Sequence, residues 1–215
     1  FTPPKTAANV RKNGMADWFP DGKVNVSHLA LDAQINAGRG DQVALYYDSP
    51  VTNTQNHYTY SQLREEVAAF AGALKAQGVN VGDRVVIYLP MIPQAAIAML
   101  ACARIGAIHS VVFAGFSAKS LSDRINDADC NILITADGGF RGAKITPLKD
   151  ISDEAMQSTP SIKKCIVFER TKSKISMQIG RDIWWHKEII KANSDFPAEI
   201  MDSEDPLFIL YTSGS

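Results

Sequence analysis

The sequence predicts an α/β fold: a mainly parallel sheet flanked by helices. Three observations predict it. Short apolar runs alternate with helix-like segments from about Tyr58 onward. Those runs are nearly continuous in apolar residues, as in strands covered on both faces. At 215 residues with 46% hydrophobic residues, the chain can bury a sizeable core.

Taken in order, the stretch before Val26 reads as an irregular arm, and Asp48 to His57 reads as a polar loop. Thr59 and Gln62 form a capping box for a helix with Leu63, Val67, Phe70, Ala71 and Leu74 on one face, ending before Gly78. Arg84 to Leu89 is the first expected strand. Pro93 then opens an apolar helix, Gln94 to Ile105, closed by Gly106 and expected to lie buried between layers. Ala107 to Phe113 is the next strand. Ser117 caps a helix carrying Leu121, Ile125 and Ala128. Strands follow at Asn131–Thr135, Cys165–Phe168 and Leu207–Tyr211, with a helix over Lys149–Met156. Thr171 to Gly180 reads as an exposed polar insertion. The chain thus divides into an N-terminal arm and entry segment, 1–57, and a parallel α/β part, 58–215.

Composition excludes several function classes. Lys and Arg total 22 against 23 Asp and Glu, a balance that gives no support to nucleic-acid or polybasic membrane binding. Cys102, Cys130 and Cys165 are odd in number and sit in apolar patterns, so buried free thiols in a reducing compartment are expected rather than a disulfide framework. The four histidines show no metal-ligand spacing. No apolar run reaches membrane-spanning length; Met91 to Ile108 is interrupted by Pro93, Gln94, Arg104 and Gly106.

Three stretches carry candidate chemistry. The terminal Tyr211-Thr212-Ser213-Gly214-Ser215 follows an apolar strand, where glycine admits backbone N–H groups to an anion and the hydroxyls add donors. Ala136 to Lys144 lies just past a strand end, where open parallel sheets bind ligands, and carries Arg141 and Lys144 three residues apart beside glycines. Phe113-Ala114-Gly115-Phe116-Ser117 follows another strand and reaches a helix N-terminus that favours an anion. Each has a plainer reading as an ordinary turn, a solvated basic turn and a tight cap. On pattern alone those readings rank level or ahead. Trp184-Trp185-His186-Lys187, flanked by Ile183, Ile189 and Ile190, reads as core packing rather than a binding patch. No Ser-His-Asp set and no acid–base carboxylate pair is evident, so no catalytic side chain is assigned.

Together these pieces resemble the short-chain acyl-CoA synthetases of the adenylate-forming superfamily, most closely the acetate-activating branch. The resemblance rests on Trp18–Asn25 (WFPDGKVN), Gly82–Met91 (GDRVVIYLPM), Met99–Phe113 (MLACARIGAIHSVVF), Gly180–Trp185 (GRDIWW) and Glu204–Ser215 (EDPLFILYTSGS). It runs from about Trp18 to the last residue. It implies the large N-terminal domain of such an enzyme, interrupted within its phosphate-binding loop. The implied activity is activation of acetate with ATP and Mg²⁺ to an acyl-adenylate, then transfer to coenzyme A with release of AMP; propionate is the alternative acid.

By the same resemblance, Thr212, Ser213, Gly214 and Ser215 begin the loop for the ATP phosphates. Arg141, Gly142, Ala143 and Lys144 bind the 3′-phosphate end of coenzyme A, and Phe113, Ala114 and Gly115 form another wall of that site. Lys144 stands where many relatives have Arg, which keeps the charge and loses a bidentate fork. Ala114 stands where many have Gly. The rest of the phosphate loop, the acid pocket and the C-terminal domain are not in this chain, so it is expected to be inactive alone. The partners implied are small molecules, with no nucleic acid and no membrane, and the compartment is the cytoplasm or the mitochondrial matrix. A non-catalytic nucleotide-binding α/β domain is the rival class, weakened by the lack of a G-x-G-x-x-G after any strand.

Overall fold

The computed structural model describes residues 1–192 and 195–212. The chain opens with two short antiparallel strands, β1 (Ala8–Val10) and β2 (Ala16–Trp18), followed by β3 (Lys23–Val24). A hairpin of β4 (Val43–Ser49) and β5 (Thr54–Thr59) leads into α1 (Tyr60–Ala76). Then come β6 (Arg84–Tyr88), α2 (Pro93–Arg104), β7 (Ile108–Val111), α3 (Ala118–Ala128) and β8 (Ile132–Ala136). A small hairpin, β9 (Gly139–Arg141) and β10 (Lys144–Thr146), precedes α4 (Leu148–Met156) and β11 (Lys164–Phe168). The chain continues through β12 (Asp182–Trp184), α5 (Trp185–Lys191), β13 (Met201–Asp202) and β14 (Phe208–Ile209).

Six of these strands form one parallel sheet in the order β12-β11-β8-β6-β7-β14. The central strands are buried end to end: Val85, Val86, Ile87 and Tyr88 of β6 and all of β8. Burial on both faces is why their sequences lack alternation. From β6 the chain crosses through α2 to β7 on one side, then returns through α3 to β8 on the other. Right-handed crossovers in opposite directions put α2 and α3 on opposite faces of the sheet. Accordingly α1 packs on α2 and α5, while α3 packs on α4. The reversal at β6 opens a crevice at the C-terminal ends of the strands.

Local signals act as their chemistry requires. Thr59 Oγ1 accepts the Gln62 N–H at 3.2 Å, and Gln62 Oε1 accepts the Thr59 N–H at 2.9 Å, closing the capping box of α1. Ser117 Oγ accepts the Ser120 N–H at 3.3 Å to start α3. Pro93 occupies the first turn of α2, none of whose residues is exposed. Gly106 ends that helix region at φ 72°, and a Cβ there would lie 2.7 Å from Met201 Sδ. Trp185 is 3% exposed and stacks on Phe70 with ring centroids 3.5 Å apart, so the Trp-Trp segment is core packing. Cys102, Cys130 and Cys165 are all buried free thiols.

Four expectations need correction. The supposed loop over Asp48–His57 is mostly the β4–β5 hairpin; its residues 54–57 are exposed, so no apolar face marked the strand. The arm before Val26 is not irregular. β1 pairs β2, and β3 pairs β13, with the Ser203 hydroxyl donating to the Trp18 carbonyl at 3.1 Å. The segment Thr171–Gly180 is exposed at 172, 174, 176 and 178–180 as expected, but it is not a free insertion: Ile175 and Met177 pack on the core and the Ser176 carbonyl accepts from buried Lys149 at 3.0 Å. Finally, β14 is only Phe208–Ile209, shorter than Leu207–Tyr211: among the described residues it pairs β7 alone, and Tyr211 turns away to donate its hydroxyl to Asp127 at 2.6 Å.

Candidate active-site cleft

Four strand ends converge on one cleft of about 370 Å³. The turn after β6 contributes Pro90–Ile92, that after β7 contributes Phe113–Gly115, and the β9 strand after β8 contributes Gly139–Arg141. Arg170 enters from the end of β11, and the β4–β5 hairpin closes the side with Tyr47, Asp48 and Ser49. This is the crevice created by the strand-order reversal at β6.

Each wall has a physical anchor. Tyr88 is fully buried, and its hydroxyl donates to the Phe116 carbonyl at 2.7 Å, pinning the turn that holds Phe113, Ala114 and Gly115. Burial pushes the Tyr88 phenol up to about 12. Phe113 is 64% exposed at the mouth and meets Phe116 edge to face at 5.7 Å. Arg141 and Lys144 are cross-strand partners in the β9–β10 hairpin, closed by Gly142 at φ 59° and Ala143. Like charges directly opposite disfavour the hairpin unless an anion joins them. Both side chains are exposed, and among the described residues neither has an ion-pair partner.

Beneath the hairpin lies Asp137, 1% exposed. Its carboxylate accepts the N–H groups of Gly138 at 2.7 Å, Arg170 at 2.7 Å, Thr171 at 3.0 Å and Ser173 at 3.0 Å. One buried anion thus joins the start of the β9 hairpin to the turn after β11. Gly138 is packed so closely that a Cβ would lie 2.7 Å from Thr171 Oγ1 and 3.2 Å from the Thr146 carbonyl oxygen.

The structure brings Phe113, Ala114, Gly115 and Arg141 to one cleft. Gly142, Ala143 and Lys144 sit on the hairpin beside it and do not line it. Thr212 is exposed, and Ser213, Gly214 and Ser215 lie outside the described residues. Sequence reading missed Arg170, Tyr47 and Ser49. Arg170 stands two residues past a strand end, so the rule that selected Arg141 could have found it. Tyr47 and Ser49 carried no signal in the sequence. Among the described residues, no group of three or more His, Cys, Asp or Glu could hold a metal ion, and no helix is long and apolar enough to cross a membrane.

A parallel α/β domain with a ligand-sized crevice at its strand ends is the class that this sheet defines, and the match to known families is specific. Residues 31–215 match the AMP-binding enzyme family, and the chain belongs to it. It is 54% identical over its whole length to an acetyl-coenzyme A synthetase of Desulfatibacillum aliphaticivorans, covering 33% of that protein. It is 51% identical, over 95% of the chain, to acetyl-coenzyme A synthetase 2 of Pseudomonas aeruginosa, covering 32% of it. Among solved structures, acetoacetyl-CoA synthetase from Streptomyces lividans superposes with a TM-score of 0.88 at 31% identity, over 99% of this chain and 32% of that one. The chain therefore spans about a third of the length of the curated relatives it matches.

Proposed function

We propose that the protein carrying this chain is an AMP-forming acyl-CoA synthetase acting on a short carboxylic acid, acetate first among them. The observation that carries the reading is the cleft that gathers Phe113, Ala114, Gly115 and Arg141 at the strand ends. Identity of 54% to an acetyl-coenzyme A synthetase against 31% to an acetoacetyl enzyme favours acetate. In this reaction a carboxylate oxygen attacks the α-phosphorus of ATP, with Mg²⁺ on the phosphates, and pyrophosphate leaves. The coenzyme A thiol then attacks the acyl carbon, and AMP leaves with the C–O bond electrons.

In that scheme the residues of this chain bind and orient. Arg141 and Lys144 supply the cations for the 3′-phosphate of coenzyme A, and the Phe113–Gly115 turn lets the backbone approach the nucleotide. Thr212 to Ser215 begin the loop for the ATP phosphates. One methylene changes binding by only about 1–3 kcal/mol in an apolar pocket, so the acid is settled by assay. The full-length protein, given ATP, Mg²⁺ and coenzyme A with acetate, propionate or acetoacetate, is expected to release AMP and form thioester with the highest kcat/KM for acetate. Phosphate and ADP as products, or no acid-dependent release of pyrophosphate, would contradict the proposal.

A further inference from the structure

We infer that Arg170 is a second phosphate-binding residue of this cleft, directed at the diphosphate bridge of coenzyme A rather than at its 3′-phosphate. The inference rests on the reading of the cleft as the coenzyme A site and goes beyond the residues that resemblance supplied.

Arg170 is held in place from both ends. Its backbone N–H is fixed by buried Asp137 at 2.7 Å. Its guanidinium lies over the Phe140 ring, 5.6 Å from the centroid, and 5.9 Å from that of Tyr47. One terminal nitrogen donates to the Tyr47 hydroxyl at 2.7 Å and to the Ser49 hydroxyl at 3.2 Å. Both acceptors are neutral, and among the described residues no carboxylate pairs with the guanidinium. Nε and the other terminal nitrogen have no hydrogen-bond partner among the described residues, so N–H donors are left for a ligand.

Arg170 is partly buried with no carboxylate partner among the described residues, and partial loss of water makes an anionic ligand favourable there. Here the side chain is preorganised by rings and hydroxyls and lines a cleft that Arg141 also lines. Among the described residues the cleft has one lining carboxylate, Asp48, which accepts from the Gln55 side chain at 3.2 Å. Two guanidinium groups against one carboxylate leave a net positive lining. They arrive on separate segments, Arg141 on a hairpin and Arg170 after β11, which suits a ligand with two separated phosphate groups. Coenzyme A carries a 3′-phosphate and a diphosphate. With Arg141 assigned to the former, the diphosphate falls to Arg170. A rigid fork suits phosphate oxygens.

The test measures KM for coenzyme A and for dephospho-coenzyme A, which lacks the 3′-phosphate, in the full-length protein and its Arg170→Met and Arg141→Ala variants. Pyrophosphate exchange is followed alongside. Arg170→Met is expected to raise KM about tenfold for both thiols, with exchange little changed. The penalty of Arg141→Ala should appear with coenzyme A and vanish with dephospho-coenzyme A. Arg170→Lys keeps the charge and the stem; it should fold where Met does not, and raise both KM values only a few-fold.

Unchanged KM in the Arg170 variants, with Arg141→Ala still impaired, would make Arg170 a packing strut and overturn the inference alone. So would an Arg170 penalty confined to the 3′-phosphorylated thiol. No effect of Arg141→Ala on either thiol would instead overturn the reading of the cleft.

Discussion

The Asp137 carboxylate accepts the Arg170 N–H at 2.7 Å while also accepting that of Gly138, so one buried anion fixes two of the cleft's walls. A charged acceptor contributes about 1.5–3 kcal/mol per hydrogen bond. Asp137→Asn keeps a single acceptor oxygen and introduces an unwanted donor. It is expected to destabilise the protein by roughly 2–3 kcal/mol, read from the denaturant midpoint at unchanged m-value.

Gly138→Ala tests the same junction sterically. The added methyl would meet the Thr146 carbonyl oxygen at 3.2 Å, which the backbone cannot easily yield. The β9–β10 hairpin must shift outward. The expected result is a loss of about 1–3 kcal/mol and a higher KM for coenzyme A, with pyrophosphate exchange nearly intact. Equal losses in both half-reactions would place the damage in the sheet instead.

A second buried charge cluster holds the far edge of the sheet. Lys149, 0% exposed, pairs with Asp182 at 2.9 Å and Asp153 at 2.7 Å, and Arg181 donates to both carboxylates. Burial opposes the Asp182 charge, but hydrogen bonds from Arg181, the Gln178 N–H and Lys149 hold its carboxyl below the usual range. Removing the cation leaves buried carboxylates short of a partner. Lys149→Met should cost about 3–5 kcal/mol, measured by chemical denaturation.

Two groups that contribute to the pH dependence of stability are His109 and Tyr88. Burial lowers His109 to about 4, so the native ring stays neutral while the unfolded one protonates near 6.5. The unfolded state then binds the extra proton, and stability falls as pH drops from about 6.5 toward 4. Tyr88 works at the other end. The unfolded phenol ionises near 10 and the native one at about 12, so stability falls as pH rises between those values. His109→Gln should flatten the acid slope of a denaturation series, and Tyr88→Phe the alkaline one. An unchanged slope in either variant would remove that residue from the account.

Much of the sheet was legible in the sequence, because β6, β8 and β11 are buried on both faces and therefore read as unbroken apolar runs. The caps at Thr59 and Ser117 were legible for a similar reason: their chemistry is local. The β4–β5 hairpin was not, since Thr54–His57 faces solvent and its pairing is set by Val43–Ser49 across the ladder. Of the cleft, Arg141 and the Phe113–Gly115 turn were legible from their place past strand ends. Arg170 stands past a strand end as well and the same rule reaches it, but no glycine marks its turn. What holds it is Asp137, thirty-three residues away.

We propose that this cleft serves coenzyme A and not adenylate formation. Arg141→Ala in the full-length protein tests it most directly, with KM for coenzyme A in thioester formation set beside acetate-dependent pyrophosphate–ATP exchange. The expected result is a KM raised roughly tenfold to a hundredfold, with exchange within about twofold of the parent. A fall in exchange matching the fall in thioester formation would contradict it.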